Sequence, residues 1–195
     1  MAVRVVVGSK NLDKVREIQE ILAAIPIELR PLPGDVAPVA EDGTTLEENA
    51  RKKALGYARA VNGIVLADDT GLEVDALGGR PGIHAARFAG EDATYAMNRA
   101  KLLEELAGVP EARRTARFRC VVALATPTEL LASFEGSVAG RILEAPRGEG
   151  GFGYDPLFLV PELGRALAEL RPEEKNSTSH RARALHRARG FLLEL

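Results

Sequence analysis

The chain opens with an apolar run, VRVVV at residues 3–7, followed at once by the polar loop GSKNLD at 8–13. Apolar residues then recur at Val15, Ile18, Ile21, Leu22 and Ile25, three and four positions apart. The run predicts a buried strand and the spacing a helix, so the opening unit is strand, loop, helix. Residues 27–33 read as extended and end in the turn sequence Pro33-Gly34-Asp35. A second helix is predicted over 45–60, with Thr44 or Thr45 as its N-cap and Glu47 and Glu48 in its first turn, where carboxylates are favoured. Residues 64–67 form a short buried strand that ends against Asp68, Asp69 and Thr70.

Beyond a glycine-rich loop at 78–82, the pattern predicts a helix over 95–107 and paired strands over 116–125 and 131–138, joined by the turn TPTE. Two further strands, 141–143 and 156–160, flank a second glycine-rich loop. Two helices close the chain, near 164–169 and over 179–193. No repeat, low-complexity segment or linker interrupts this order. Alternating helices and strands of this kind imply an α/β protein with a mixed sheet flanked by helices, with residues 1–195 in one domain.

Composition narrows the class. Apolar residues make up 46% of the chain and charged residues 28%, which is enough apolar surface to build a core and excludes a disordered chain. The opening residues lack the apolar core and small-residue cleavage site of a secretory signal, and no apolar run is long enough to cross a bilayer. The expected location is therefore the cytoplasm, without a membrane partner. The single cysteine, Cys120, precludes an internal disulfide and a cysteine metal cluster. A net charge of −2 argues against nucleic acid as a partner, because binding to phosphate backbones ordinarily needs a basic excess.

Four segments have the residue types that chemistry requires. In Ser9-Lys10-Asn11-Leu12-Asp13-Lys14, the open amides of a helix N-terminus and nearby lysines make an anion site, although the same residues also describe a capped helix with surface lysines. It is not a P-loop, since the spaced glycines and the Gly-Lys-Ser/Thr ending are missing. Asp68 and Asp69 stand side by side at the predicted strand end, where repulsion and desolvation favour a cation unless the pair simply makes a turn. Glu41 adds a third carboxylate, and oxygen donors of this type suit Mg²⁺.

The third segment, GEGGFGYDP at 148–156, matches G-x-G-x-x-G formally, but a strand-like LFLV follows it where a dinucleotide site needs a helix. Its glycines instead permit a tight loop that presents the Phe152 ring to a planar ligand, or a plain hairpin loop with an exposed aromatic. In the fourth, EEKNSTSHRARAL at 173–185, Lys175, His180 and Arg181 are hydrogen-bond donors near a helix start. Arg183, Arg187 and Arg189 read as a solvated helix face, and His84 and His186 as structural.

Taken together, these segments resemble the inosine triphosphate pyrophosphatase family, enzymes that remove ITP, dITP and XTP. The matching blocks are VVGSKNLDKVRE, EDGTTLEENARKKA, LADDTGLEVDALGGRPGIHAARFAGEDAT, RFRCVVAL, GGFGYDPLF and EEKNSTSHRARAL, in family order over nearly the whole chain. The resemblance implies an elongated two-lobed α/β fold with a nucleotide cleft between the lobes, a homodimer, and a Mg²⁺ cofactor. It implies that the loop Ser9, Lys10, Asn11, Leu12, Asp13 and Lys14, with Lys53, binds the triphosphate. Asp69 becomes general base and metal ligand, Glu41 the second metal ligand, and Asp68 a neighbouring carboxylate that is a possible ligand. Thr70 contacts the substrate, and Phe152, Gly153, Tyr154, Asp155, Lys175, His180 and Arg181 form the base pocket.

Departures from the family pattern are few: Ser9-Lys10 stands where Thr-Gly is frequent, Thr70 where Ser is, and Leu46 where Phe is. Lys10 in place of glycine changes how closely the loop backbone can approach phosphate. The implied reaction is water attack on the α-phosphorus, releasing pyrophosphate and a nucleoside monophosphate. A 6-oxo purine accepts from Lys175 or Arg181, whereas adenine's amino group leaves those donors unmatched. Two rivals stand beside this reading: a related enzyme for modified pyrimidine nucleotides, and a nucleotide-sensing module without turnover.

Overall fold

The computed structural model describes residues 2–195. Its strands are β1 (Val3–Val7), β2 (Ile27–Pro31), β3 (Ile64–Val74), β4 (Pro81–Gly82), β5 (Thr115–Ala125), β6 (Leu130–Ile142), β7 (Phe158–Val160) and β8 (Arg165–Ala166). The helices are α1 (Leu12–Ile21), α2 (Leu46–Val61), α3 (Tyr95–Glu105), α4 (Pro172–Thr178) and α5 (His180–Leu193), with short 3-10 turns among them. The strands form one sheet in the order β2-β1-β3-β5-β6-β7-β8, and β4 pairs with β3. The pairs β1–β2 and β1–β3 are parallel, whereas β3–β4, β6–β7 and β7–β8 are antiparallel. The expected α/β class with a mixed sheet is what the chain adopts.

The chain divides into two compact units: residues 1–69, 120–136 and 180–195 in the first, and 70–119 and 137–179 in the second. In the first unit, Val5 and Val7 of β1, Leu66 of β3 and Val122 and Leu124 of β5 are fully buried with Ile18 of α1 and Leu185 of α5. The alternation on β1 and the helical spacing on α1 thus deliver their apolar faces to one core. Helix α5 comes close to β6: a Cβ on Gly136 would fall inside contact distance of His180 O and Ala184 N, so only glycine fits there. In the second unit, Leu72 and Val74 of β3, Leu102 and Leu106 of the α3 region, Ile142 and Leu157 form the core around Phe118 and Phe158. Those two rings lie 4.6 Å apart between centroids, in a tilted pair.

Several element boundaries differ from the sequence expectation. Helix α1 stops at Ile21, and Leu22 and Ile25 reach the core from the turn that follows. The predicted short strand at 64–67 continues as an eleven-residue strand, so Asp68, Asp69 and Thr70 lie within β3 and not at its end. Pairing with buried cations, described below, is what lets two carboxylates occupy a strand interior. Residues 141–143 are not a separate strand, since Arg141 and Ile142 complete β6. The strand predicted over 156–160 narrows to Phe158–Val160, after a 3-10 turn at Asp155–Leu157. The helix expected near 164–169 is the two-residue strand β8 and a 3-10 turn, Leu167–Glu169. Helix α4 has no counterpart among the expected helices; Pro172 occupies its first turn, where proline's missing N–H costs no hydrogen bond.

Candidate active site

In the first unit, the segment after β1 is shaped by its own side chains. Asn11 is the N-cap of α1: its side-chain oxygen accepts from the amides of Asp13 at 3.0 Å and Lys14 at 3.2 Å. Ser9 Oγ accepts from the Asn11 amide at 3.2 Å. Lys10 Nζ donates to Gly34 O at 3.2 Å, Asp13 pairs with Arg16, and Leu12 is 80% exposed. Lys14 turns inward, with Nζ 3.1 Å from Asp68 Oδ2.

Successive residues on a strand point to opposite faces, and the two adjacent aspartates meet different cations accordingly. Asp68, wholly buried, has Lys14 at 3.1 Å and Arg181 Nη2 at 3.2 Å on the same Oδ2. Arg181, itself only 1% exposed, also donates to Glu17 of α1. Cys120 Sγ lies 3.8 Å from Asp68 Oδ2 as a weak donor. Burial works against the Asp68 charge, but Lys14, Arg181 and Lys53 outweigh it and hold its carboxyl well below the usual range.

Asp69 has one cation at its Oδ1, Lys53 Nζ at 3.0 Å, and that ammonium also lies 3.1 Å from Glu41 Oε1. The other oxygen, Asp69 Oδ2, is buried without a hydrogen-bond partner. Burial and the nearby Glu41 charge raise the Asp69 carboxyl above its ordinary value against the pull of Lys53 and Lys14. Lys53 is nearly buried; that burial opposes its charge, but Asp69, Asp68 and Glu41 prevail and keep it firmly protonated. Among the described residues, no group of three or more His, Cys, Asp or Glu side chains converges as a ready metal cage. Two carboxylates, one with an orphaned oxygen, nevertheless match Mg²⁺, which takes one or two protein carboxylates and completes its shell with phosphate oxygens and water.

In the second unit, the loop before β7 is organised by Asp155. Its Oδ2 accepts from the Phe152 amide at 2.8 Å and from Lys175 Nζ at 2.5 Å. Lys175, from α4, also lies 4.8 Å from the Phe152 ring centroid, and Tyr95 of α3 packs against that ring at 5.9 Å between centroids. Gly153 O accepts from Arg99 at 2.7 Å, and the Tyr154 hydroxyl donates to Ala85 O at 2.8 Å. Burial pushes the Tyr154 hydroxyl's pKa upward, so it stays a neutral donor. A half-buried aromatic face with an ammonium beside it is suited to a planar, electron-rich ligand.

The model of the Ham1 family matches residues 5–191, nearly the full chain. The chain belongs to the Ham1 family. Among its relatives, a "dITP/XTP pyrophosphatase" of Geobacillus kaustophilus is 54% identical over 93% of this chain and 90% of its own length. One of the same name from Bacillus subtilis is 47% identical over 92% of both. Among solved structures, a HAM1 protein from Coxiella burnetii aligns with a TM-score of 0.89 at 40% identity, covering 99% of this chain and all of that one. A Staphylococcus aureus Ham1 protein aligns at 0.84 with 39% identity over 97% of both chains.

Within this Ham1-family chain, the residues singled out from sequence fall into two groups. In the first unit Lys14 pairs with Asp68, and Lys53 pairs with Glu41 and Asp69, while Phe152, Asp155 and Lys175 are joined in the second. Thr70, half-buried, follows Asp69 on β3, and His180 is buried at the start of α5. Arg181 was grouped with the base pocket, but its guanidinium is turned to Asp68 and Glu17. Sequence reading missed Glu17, Asn49 and Tyr95. Glu17 and Asn49 had a detectable signal, since each is a polar residue at an apolar position of an otherwise regular helical stripe.

Proposed function

We propose that the chain hydrolyses deaminated purine nucleoside triphosphates (ITP, dITP and XTP) to the nucleoside monophosphate and pyrophosphate, and so clears them from the cytoplasmic nucleotide pool. The observation that carries this reading is Asp69: one oxygen held by Lys53, the other buried without a hydrogen-bond partner, and a carboxyl that burial raises above the ordinary aspartate value. The Ham1 relatives named dITP/XTP pyrophosphatase support the substrate class.

In this reading, a water oxygen bonds to the α-phosphorus as the bond from that phosphorus to the bridging oxygen of the leaving pyrophosphate breaks. Asp69 Oδ2 takes the water's proton. Lys53 stays charged and holds Asp69 in place while neutralising phosphate. The Ser9–Lys14 segment offers its lysines and the positive end of α1 to the remaining phosphate oxygens, while its Asn11, Asp13 and Lys14 amides are held by Ser9 and Asn11 and shape the loop. Glu41 and Asp69 would hold Mg²⁺, which supplies charge neutralisation to the phosphates when bound. Phe152 stacks on the base. Lys175, fixed by Asp155, donates to the 6-oxo group of hypoxanthine or xanthine, and adenine's amino group would leave that donor unmatched. Thr70 is assigned to a direct substrate contact beside Asp69. The working form is proposed to be a homodimer, which sedimentation equilibrium would read as twice the 20.9 kDa chain.

Hydrolysis of ITP in ¹⁸O-labelled water tests the reaction. Label in IMP with unlabelled pyrophosphate is the expected result. Label in pyrophosphate or in inorganic phosphate would refute attack at the α-phosphorus.

A further inference from the structure

Helix α2 has an apolar stripe of Leu46, Ala50, Ala54, Tyr57 and Ala58 that packs inward, and two polar residues lie in the same buried face: Asn49 and, one turn on, Lys53. Lys53 is explained by its pairing with Glu41 and Asp69. Asn49, with no exposed surface, is explained only by half. Its Oδ1 accepts from the Gly43 amide at 2.8 Å, and this fixes the amide's orientation, because only the oxygen can face an N–H. Its Nδ2 is consequently a buried donor, and it has no hydrogen-bond partner in the protein.

Gly43 is two residues from Glu41, and the contact is close: a Cβ at position 43 would lie 2.6 Å from Asn49 Oδ1 and 2.9 Å from Glu48 Cβ. Asn49 therefore ties the turn that presents Glu41 to the helix that presents Lys53. Buried donors are ordinarily satisfied, so an orphan one turn from Lys53 points to an acceptor that arrives with a ligand.

We propose that Asn49 is a positioning residue of the carboxylate site: its oxygen sets the Glu41 turn, and its Nδ2 donates to an oxygen brought by the ligand. That oxygen comes either from a phosphate of the substrate or from a water in the metal's shell. The inference rests on the functional reading above but goes beyond it, since it assigns a residue outside the carboxylates, lysines and base-binding groups.

The test uses two probes that need no turnover: Mn²⁺ alone, followed by its paramagnetic resonance signal, and inorganic tripolyphosphate in EDTA, followed by calorimetry. Asn49→Leu keeps similar volume and removes both polar atoms. It is expected to weaken at least one probe about tenfold or more, as loss of a hydrogen bond to a charged partner does. Loss confined to tripolyphosphate identifies a phosphate oxygen as the acceptor; loss confined to Mn²⁺ identifies the metal's water or a displaced Glu41. Gly43→Ala serves as a second variant, because it pushes the Asn49 amide aside without changing it and is expected to weaken the same probe. If wild type binds both probes and the folded variants bind them equally well, this inference is overturned while the functional reading stands. If wild type binds neither, both fall.

Discussion

Asp68 and Asp69 are consecutive on β3 yet meet different lysines: Lys14 Nζ lies 3.1 Å from Asp68 Oδ2, and Lys53 Nζ lies 3.0 Å from Asp69 Oδ1. Asp68 is the more strongly compensated, with Arg181 as a second cation on the same oxygen. Asp69 has Lys53 on its Oδ1, an ammonium it shares with Glu41. Two identical side chains in adjacent positions thus have opposite pKa directions, Asp68 lowered and Asp69 raised. Divergence of that kind is what the proposed roles require, with Asp68 as a fixed anion and Asp69 as the base.

Asp68→Asn should destabilise the fold by about 3 kcal/mol, because it leaves Arg181 and Lys14 buried without their shared carboxylate. Since the folded pKa of Asp68 is depressed, its stabilising contribution is present above the ordinary aspartate value of about 3.9 and is lost as pH falls toward the folded pKa. Urea unfolding of wild type and variant between pH 7 and pH 3 reads both effects. The gap between the two proteins should narrow in acid.

Asp69→Asn should abolish pyrophosphate release while leaving the chain folded, its stability set by two opposed effects: the amide escapes the cost of a buried carboxylate, and buried Lys53 loses one of its two partners. Its folded pKa is raised, so Asp69 contributes stability below about pH 3.9 that is lost as pH rises through the folded value, and an amide carries no such penalty. In the wild type, kcat/KM should fall on the acid side with one proton, at an apparent pKa above the ordinary aspartate value. Thermal unfolding together with a pH–rate profile checks this prediction. Residual activity of the variant near the wild-type level would remove Asp69 from the mechanism.

Lys175→Gln should reduce the preference for ITP over ATP about tenfold, through ITP rather than ATP, since the group lost is the donor matched to the 6-oxo position. Phe152→Ala should raise KM for every nucleotide, because stacking is worth about 1–3 kcal/mol per base whatever its identity. Tripolyphosphate binding should be unchanged in both variants. The measurement is kcat/KM for the two nucleotides in each protein.

The strand-loop-helix opening and helix α2 were legible because their periodicities are local: VRVVV needs no partner to declare itself, and Asn11 and Thr45 are caps readable in place. The continuation of β3 through Asp68, Asp69 and Thr70 was not, since a polar run reads as a strand end unless the cations that pay its desolvation are known. Those cations come from afar: Arg181 lies 113 residues from Asp68 and 164 from Glu17. For the same reason the resemblance places Arg181 with Lys175 in the base pocket, whereas its guanidinium pairs with carboxylates of α1 and β3. Asn49 declares itself in sequence only as a polar residue within the helical stripe of α2; that its Nδ2 has no hydrogen-bond partner depends on the packed fold.

The measurement that tests the account most directly is pyrophosphate release from ITP, XTP, dITP, ATP and GTP, each with Mg²⁺ and with EDTA. Release is expected to need the metal and to favour the three deaminated nucleotides about tenfold or more over ATP, the scale that one unmatched buried donor, Lys175, can supply. Equal release from ATP, or release undiminished in EDTA, would contradict it.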